Sequence, residues 1–260
     1  MSESALHRVQ HSVSENGQLL HIELCSGKGN VIDLEMITAL SAVFAEAEKS
    51  PRLKAIVLRG AGDQFSFGAS VPEHRLAQVD QMLPRFHDCV RKLCGLHIPS
   101  FAVLRGCCLG GGLELAAGCT YLFASPDAKL GQPEIKLGVF APVGSVLLPW
   151  RMGSRALDLL VSGRTLNALE AKEVGLVNVV DEDPHAACLA FIRKHLMPLS
   201  ASSLRFAERA ARRPLWRALT EDLPELERLY LQELMATPDA SEGIEAFLAK
   251  RPPHYQSEGS

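Results

Sequence analysis

The chain has 260 residues, of which 47% are apolar and 22% are charged, and its formal net charge is −3. Such a composition can bury a large core, which argues against disorder, and the charge gives no reason to expect a nucleic acid or an anionic membrane as partner. The longest apolar runs are far too short to span a bilayer, and the N-terminus carries no apolar signal segment. Seven cysteines without a Cys-x-x-Cys pair fit reduced thiols, so we expect a cytoplasmic protein.

The first half of the chain predicts alternating strands and helices. Asn16-Gly17 is typical of a hairpin turn and is followed by an apolar strand over 19–24. Apolar residues at helical spacing predict a helix over 34–49. Short apolar runs that end at turn residues predict buried strands at 55–58, 101–104 and 121–124. This alternation indicates an α/β fold.

After residue 197 the pattern becomes helical. Amphipathic spacing predicts helices over 200–212, 223–235 and 240–250. Asp239 and Glu242 fit a capping box at the start of the last of these helices. We therefore divide the chain into a core over 1–197 and a C-terminal helical region over 198–260, which packs on that core or meets another subunit.

Three consecutive glycines, at 110–112, connect a predicted strand to a predicted helix. Their bare N–H groups and the positive end of the helix dipole face whatever lies in front of the helix. The spacing does not fit the G-x-G-x-x-G dinucleotide fingerprint. Alone, such a run favours a simple tight turn, and a second segment of the chain is needed to support a functional reading.

That second segment is the small-residue loop 65–70, which follows the strand at 55–58. One N–H from Ala69 and one from Gly111 could form an oxyanion hole, a pair of donors that stabilises an enolate oxygen. Glu114 lies one turn inside the glycine-led helix, and Glu134 follows Pro133. Buried carboxylates with raised or split pKa values can serve as base and acid near neutral pH, which indicates enolate chemistry. A solvent-facing Glu114 and a Glu134 that only marks a helix start are the alternatives.

Other chemistries find less support in the residues. The histidines are not accompanied by Asp, Glu or Cys at metal-ligand spacing, so we predict no metal site. Ser66 and Ser70 lie near glycines, but a Gly-x-Ser-x-Gly elbow is missing, which argues against a serine hydrolase.

Three stretches, 65–69, 106–116 and 131–138, jointly resemble the enoyl-CoA hydratase/isomerase (crotonase) family. Their order and spacing fit, and the resemblance covers nearly the whole chain. It implies a spiral of ββα units and a C-terminal helical part that mediates trimers, which pair into hexamers, so a homo-oligomer is expected. It also implies an acyl-CoA thioester substrate and no separate cofactor, because coenzyme A is part of the substrate.

The resemblance also implies a role for each matched position. The N–H groups of Ala69 and Gly111 would hold the thioester oxygen, while Glu114 and Glu134 would position water and move protons. Because both glutamates are present, the addition of water is favoured over isomerisation. Contacts with coenzyme A are implied at Lys28, Ser66, Phe67, Gly68 and Lys250.

Two features depart from the straight-chain hydratases of the family. Ser70 stands where an acidic residue is usual, and segment 141–149 replaces a glycine-rich one. Both fall where the acyl group should lie, and they resemble the branch of the family that hydrates alicyclic dienoyl-CoA in anaerobic benzoyl-CoA degradation. The predicted pocket residues are Ser70, His74, Phe140, Pro142 and Val143. A straight-chain enoyl-CoA hydratase or isomerase, or a non-catalytic binding protein of this fold, stays open as an alternative.

Overall fold

The computed structural model describes residues 8–256, whose strands form two sheets. The strands are β1 (Val9–Ser14), β2 (Leu19–Leu24), β3 (Ala55–Gly60), β4 (Ser100–Leu104), β5 (Cys107–Leu109), β6 (Tyr121–Ala124), β7 (Lys129–Gly131), β8 (Thr165–Asn167) and β9 (Val179–Val180). The larger sheet has the order β1-β2-β3-β4-β6-β9 and is parallel except for β1, which pairs antiparallel with β2. The smaller sheet has the order β5-β7-β8, with β5 and β7 parallel.

Helices cover both faces of the larger sheet. They are α1 (Leu34–Glu48), α2 (Val79–Gly95), α3 (Gly111–Gly118), α4 (Pro142–Met152), α5 (Ala156–Ser162), α6 (Ala168–Glu173), α7 (Pro184–His195), α8 (Ala201–Ala211), α9 (Arg213–Arg228) and α10 (Pro238–Leu248). The main core lies between one face of the sheet and helices α1, α2 and α3. On the other face, Phe101 and Phe123 pack against Cys188 and Ile192 of α7. The predicted α/β fold is confirmed.

The predicted elements of the first half are confirmed, and local chemistry explains their bounds. In the hairpin turn, Asn16 and Gly17 adopt φ values of +56° and +87°, a region that Asn and Gly tolerate best. The N-cap of helix α1 is Asp33, whose side chain accepts the N–H of Met36 at 2.9 Å and so satisfies one free donor of the first turn. Helices α2 and α4 were not predicted as elements, and both carry a proline inside the helix, Pro84 and Pro149.

Two details of the C-terminal prediction are wrong. The second helix of this region begins at Arg213 instead of 223, and a π-helical turn over Leu229–Glu233 follows it. The last helix begins at Pro238, so Asp239 and Glu242 do not form its capping box. The N-cap is instead Thr237, whose hydroxyl accepts the N–H of Ala240 at 3.4 Å.

The C-terminal helices pack directly on the rest of the chain. Helix α9 lies against α2 and α4, and α10 lies against the short 3-10 turn Pro133–Leu137. A Cβ on Gly243 would come within 2.1 Å of the Leu137 carbonyl oxygen, so α10 approaches this turn more closely than any other residue would allow. The domain boundary at 197/198 stays a prediction. Within residues 8–256, every helix is too short or too polar to cross a membrane.

Candidate active site

A cavity of about 590 Å³ lies between the loop 65–70, the start of α3, the turn Pro133–Leu137 and the C-terminal helices. Its wall is mostly apolar, with Met82, Leu83 and Phe86 of α2 on one side and Ile244 and Phe247 of α10 on another. Polar groups are few, and they converge where α3 begins. A cavity of this size and character is typical of a site for a small organic ligand.

Two backbone N–H groups border this cavity at the start of α3. A Cβ built on Gly111 would lie 3.1 Å from the Ala69 nitrogen, so the two segments touch at a point where a side chain would intrude. The N–H of Ala69 has no acceptor within residues 8–256. Gly111 is the first residue of α3, and its N–H therefore has no carbonyl of the helix to bind. The predicted pair of donors is brought together and left free.

The loop that carries Ala69 is held in place by buried polar contacts. The Ser66 hydroxyl donates to the Asn30 carbonyl at 2.9 Å and accepts the N–H of Gly68 at 3.0 Å. On the other side, the Asn30 amide donates to the carbonyls of Ala61 and Gln64. Because Asn30 and Ser66 are both fully buried, these bonds fix the loop without competition from water.

Helix α3 is anchored at its opposite end by two arginines. Arg151 donates from Nε to the Ala117 carbonyl at 2.8 Å and from Nη2 to the Cys119 carbonyl. Arg212 donates from Nη2 to the Gly118 carbonyl at 2.7 Å. Cations at a helix C-terminus are favoured by the helix dipole, so both arginines stabilise the helix whose first N–H groups face the cavity.

Glu114 is buried on α3, and the N-terminus of α4 supplies its hydrogen bonds. Its Oε1 accepts the N–H of Gly144 at 2.5 Å, and the N–H of Val143 also faces the carboxylate. Burial raises the pKa of Glu114 to about 7, while these two donors act in the opposite direction. Glu114 therefore has direct partners for its ionised form.

Glu134 lies across the cavity in the turn Pro133–Leu137. A Cβ on Gly110 would come within 2.5 Å of its Oε1, so the carboxylate rests directly over the glycine turn. The residue as a whole is half-buried, but its Oε2 is shielded and has no hydrogen-bond partner within residues 8–256. Burial, and then the negative charge of Glu114, raise the pKa of Glu134 to about 8.

The two carboxyl groups therefore differ in their surroundings. Near neutral pH the pair holds a proton, because each group is buried and each negative charge disfavours the other. The backbone donors favour the ionised form at Glu114, whereas Glu134 lacks them. The arrangement can thus offer a base at Glu114, an acid at Glu134 and an oxyanion site between Ala69 and Gly111.

The structure brings three of the five predicted pocket residues to the cavity lining, namely His74, Phe140 and Pro142. Two of the predicted coenzyme A contacts, Phe67 and Gly68, line it as well. His74 is held by its Nδ1–H, which donates to the Ser70 carbonyl at 2.9 Å, and burial lowers its pKa. A neutral ring with an Nε2 acceptor is therefore expected at this wall.

The other predicted contact residues lie outside the lining. Ser66 is buried and uses its hydroxyl within the loop, so that its side chain does not reach the cavity. Ser70 and Val143 contribute through their backbones, to His74 and Glu114 respectively. Lys28 and Lys250 are exposed and do not line the cavity, whereas Arg251, next to Lys250, does.

Sequence reasoning missed several residues of the site. Counted from Val79, the α2 side chains Met82, Leu83 and Phe86 follow the i+3, i+4, i+7 spacing of a helix, a signal that could have identified them. Gly144 has the weaker signal of lying just inside a helix that begins with proline. Tyr230 gave a misleading signal, because its spacing fits an ordinary amphipathic helix. Residues 8–256 contain no cluster of three or more His, Cys, Asp or Glu side chains that could hold a metal ion.

Comparison with known proteins supports the same chemistry. The model of the enoyl-CoA hydratase/isomerase family matches residues 14–258. A cyclohexa-1,5-dienecarbonyl-CoA hydratase of Thauera aromatica is 48% identical over 246 residues, which cover 94% of this chain and 95% of that protein. A probable enoyl-CoA hydratase of Mycobacterium bovis is 35% identical over 230 residues, which cover 87% of this chain and 89% of that protein.

Solved structures share the fold. A crystal structure of an enoyl-CoA hydratase/isomerase from Pseudoalteromonas atlantica T6c superimposes with a TM-score of 0.85 at 23% identity, covering 96% of this chain and all of that one. Another, from Xanthobacter autotrophicus Py2, gives a TM-score of 0.82 at 27% identity, with 94% and 97% of the two chains covered. These likenesses extend over nearly the whole chain, including its C-terminal helices.

Proposed function

The chain belongs to the enoyl-CoA hydratase/isomerase family, and from that premise we propose that it adds water to an alicyclic dienoyl-CoA. The substrate would be cyclohexa-1,5-diene-1-carbonyl-CoA and the product 6-hydroxycyclohex-1-ene-1-carbonyl-CoA, within anaerobic benzoyl-CoA degradation. One observation carries the hydratase part of the proposal. Two buried carboxyl groups, Glu114 and Glu134, face one cavity beside two free N–H donors.

The geometry supports a division of labour between the two glutamates. Glu114, which has backbone donors for its charge, removes a proton from the attacking water, and the oxygen of this water bonds to the ring carbon β to the thioester. The π electrons of the diene move into the thioester, whose oxygen becomes an enolate. The N–H groups of Ala69 and Gly111 stabilise that oxygen, and losing one such donor typically costs roughly 3–4 kcal/mol of transition-state stabilisation.

The proton of Glu134 completes the reaction. Since the second double bond extends the conjugation, this proton adds at the far diene carbon, which gives a 1,4-addition and leaves one double bond next to the thioester. The sum is one water added, with no electron gained or lost, so the chemistry requires no redox cofactor and no metal. The two glutamates then exchange a proton before the next turnover.

The wall of the cavity favours a compact apolar acyl group. Phe86, Met82 and Val139 offer carbon surface in the lining, where apolar side chains outnumber polar ones. The relative from Thauera aromatica is, by its name, a hydratase of a cyclic dienoyl-CoA. It is 48% identical to this chain over 94% of the chain's length. The apolar wall suits a hydrocarbon acyl group, and the relative supports a ring substrate over a straight-chain one.

The test is to incubate the purified protein separately with cyclohexa-1,5-diene-1-carbonyl-CoA and with crotonyl-CoA, and to follow mass and ultraviolet absorbance. A gain of one water on the cyclic diene, with crotonyl-CoA nearly untouched, is the expected result. The position of deuterium in a product made in D2O would show whether the proton adds at the far carbon of the diene. Fast hydration of crotonyl-CoA alone would overturn the ring substrate in favour of a straight-chain hydratase.

Two variants link this activity to the site. Glu114→Gln should lower the kcat of hydration by roughly 10²–10⁴-fold while preserving the shape of the cavity. Glu221→Gln is the matched control, since Glu221 is an exposed glutamate on α9 that pairs with Arg217 at the surface. If the wild-type protein hydrates neither thioester, the result would instead favour an isomerase or a binding protein of this fold.

A further inference from the structure

Tyr230 occupies an unusual position in the cavity wall. It lies in the π-helical turn Leu229–Glu233, a feature that occurs often at functional sites. The side chain is only 1% exposed, and its ring packs against Phe140 with the centroids 5.4 Å apart. Its hydroxyl is buried and has no hydrogen-bond partner within residues 8–256. A buried hydroxyl normally has a partner, so this one calls for an explanation.

A second unpartnered polar atom borders the same cavity. Glu134 Oε2 is also shielded from solvent and unpaired, and both side chains line the cavity. Leaving two such atoms unsatisfied is costly, unless a polar ligand atom fills the space between them when the site is occupied. The attacking water, or the hydroxyl of the product, provides that atom in the proposed reaction.

The charges around Tyr230 keep its hydroxyl a donor. Burial raises the pKa of Tyr230, and the negative charges of Glu134 and Glu114 raise it further. The other titratable groups that line this cavity are His74, which burial keeps neutral, the thiol of Cys107 on β5, and Lys136 and Arg251, which lie on the turn Pro133–Leu137 and just beyond α10. The phenol therefore stays protonated near neutral pH.

We infer that Tyr230 is a positioning residue that donates its O–H to the oxygen held between it and Glu134, and so stabilises the carboxylate that Glu134 becomes after giving up its proton. This inference rests on the proposed acid role of Glu134. It adds to the two glutamates and two N–H groups a fifth polar group, supplied by the C-terminal helices.

The kinetic test uses Tyr230→Phe, which removes one oxygen and keeps the ring contact with Phe140. The kcat of hydration should fall by roughly ten- to a hundredfold with little change in KM. The alkaline limb of the kcat profile should move to higher pH, since an ionised Glu134 without the donor is less stable. Tyr255→Phe is the matched control, because Tyr255 is exposed near the cavity and its hydroxyl donates to the Lys136 carbonyl at 3.0 Å.

A second measurement does not depend on turnover. The protonated carboxyl band of Glu134 can be titrated by infrared spectroscopy of the intact protein, as the difference from Glu134→Gln. The midpoint should lie at higher pH in Tyr230→Phe than in the wild type, and should be unchanged in Tyr255→Phe. An unchanged midpoint in Tyr230→Phe would overturn the inference, even if kcat fell, because loss of packing alone would not move it.

The two measurements also separate this inference from the proposed function. A wild-type protein that hydrates neither thioester refutes the proposed function, while the infrared midpoint still decides the role of Tyr230. A wild-type protein that hydrates the cyclic diene, together with a Tyr230→Phe variant of equal kcat and equal midpoint, refutes only the inference about Tyr230.

Discussion

Gly110→Ala tests whether the position of Glu134 controls the rate. Gly110 has φ +50° and ψ −129°, a conformation that a residue with a Cβ adopts only under strain. A Cβ there would also lie 2.5 Å from Glu134 Oε1. Because ordinary contacts are roughly 3.5 Å, this oxygen would have to move by about 1 Å.

A matched variant separates the backbone strain at Gly110 from the displacement of Glu134. Gly153 has nearly the same backbone, φ +61° and ψ −144°, yet a Cβ on it would meet nothing within 4 Å. Both variants should therefore lose about 1–3 kcal/mol of stability to strain. Only Gly110→Ala should also lose roughly a hundredfold in kcat, or about 2.7 kcal/mol, since a misplacement of about 1 Å can cost that much.

The assay is the steady-state hydration of the dienoyl-CoA by both variants, with chemical denaturation of each to measure the free energy of unfolding. A Gly110→Ala protein that keeps the kcat of Gly153→Ala would refute the requirement for a fixed Glu134. Equal losses of kcat in both variants would attribute the loss to backbone strain and would refute the reasoning as well.

Further predictions concern the two glutamates of the site and two arginines that form ion pairs. Glu114→Gln and Glu134→Gln should each lower kcat by roughly 10²–10⁴-fold in steady-state assays, and near-normal hydration in either would contradict the paired mechanism. Because the pKa of Glu134 is raised to about 8, the pair loses its last proton above that pH, and the wild-type kcat should fall there in a pH series. Between its ordinary pKa of 4.5 and the raised value of about 8, Glu134 is protonated in the folded state and ionised in the unfolded chain, so its contribution to stability is lost as the pH rises through the raised pKa. Glu134→Gln should accordingly raise the melting temperature more at about pH 9 than at about pH 5, and an equal change at both would contradict the raised pKa. Arg212→Met should lower the free energy of unfolding by roughly 3–5 kcal/mol, because the buried Glu208, 3.0 Å away, loses its partner. Arg228→Met, at exposed ion pairs, is the control and should change denaturation little, and equal effects would contradict the importance of burial.

The parts of the site that sequence could predict are those set by local geometry. Three glycines followed by Glu114 form one strand-to-helix connection, whose donors and carboxylate are a single turn apart. The position of Glu134 depends instead on the parallel pairing of β5 with β7, which sets Leu109 opposite Gly131. Neither of these short strands has a pattern of its own, so the residues alone left open whether Glu134 acts beside Glu114 or only marks a helix start, and the family resemblance favoured the first.

The position of Tyr230 in the cavity wall could not be predicted from the sequence. Its spacing with Leu226 and Leu234 fits an ordinary helix, and the sequence therefore predicted one continuous amphipathic face. The π-helical turn Leu229–Glu233 changes the angular phase of the helix and directs Tyr230 into the cavity. Such a turn depends on how the segment packs against the rest of the chain, which periodicity does not encode.

The close packing of α10 on the turn that carries Glu134 has a consequence for the synthesis of the protein. The loop 65–70 and both glutamates leave the ribosome well before Tyr230, Ile244 and Phe247, which close the cavity. A nascent chain that has passed Glu134 but has not reached α10 therefore lacks one wall of the cavity. Because Gly243 seats α10 against the turn that carries Glu134, we expect a chain that ends before α10 to lack hydratase activity, which an assay of such a truncated protein would check.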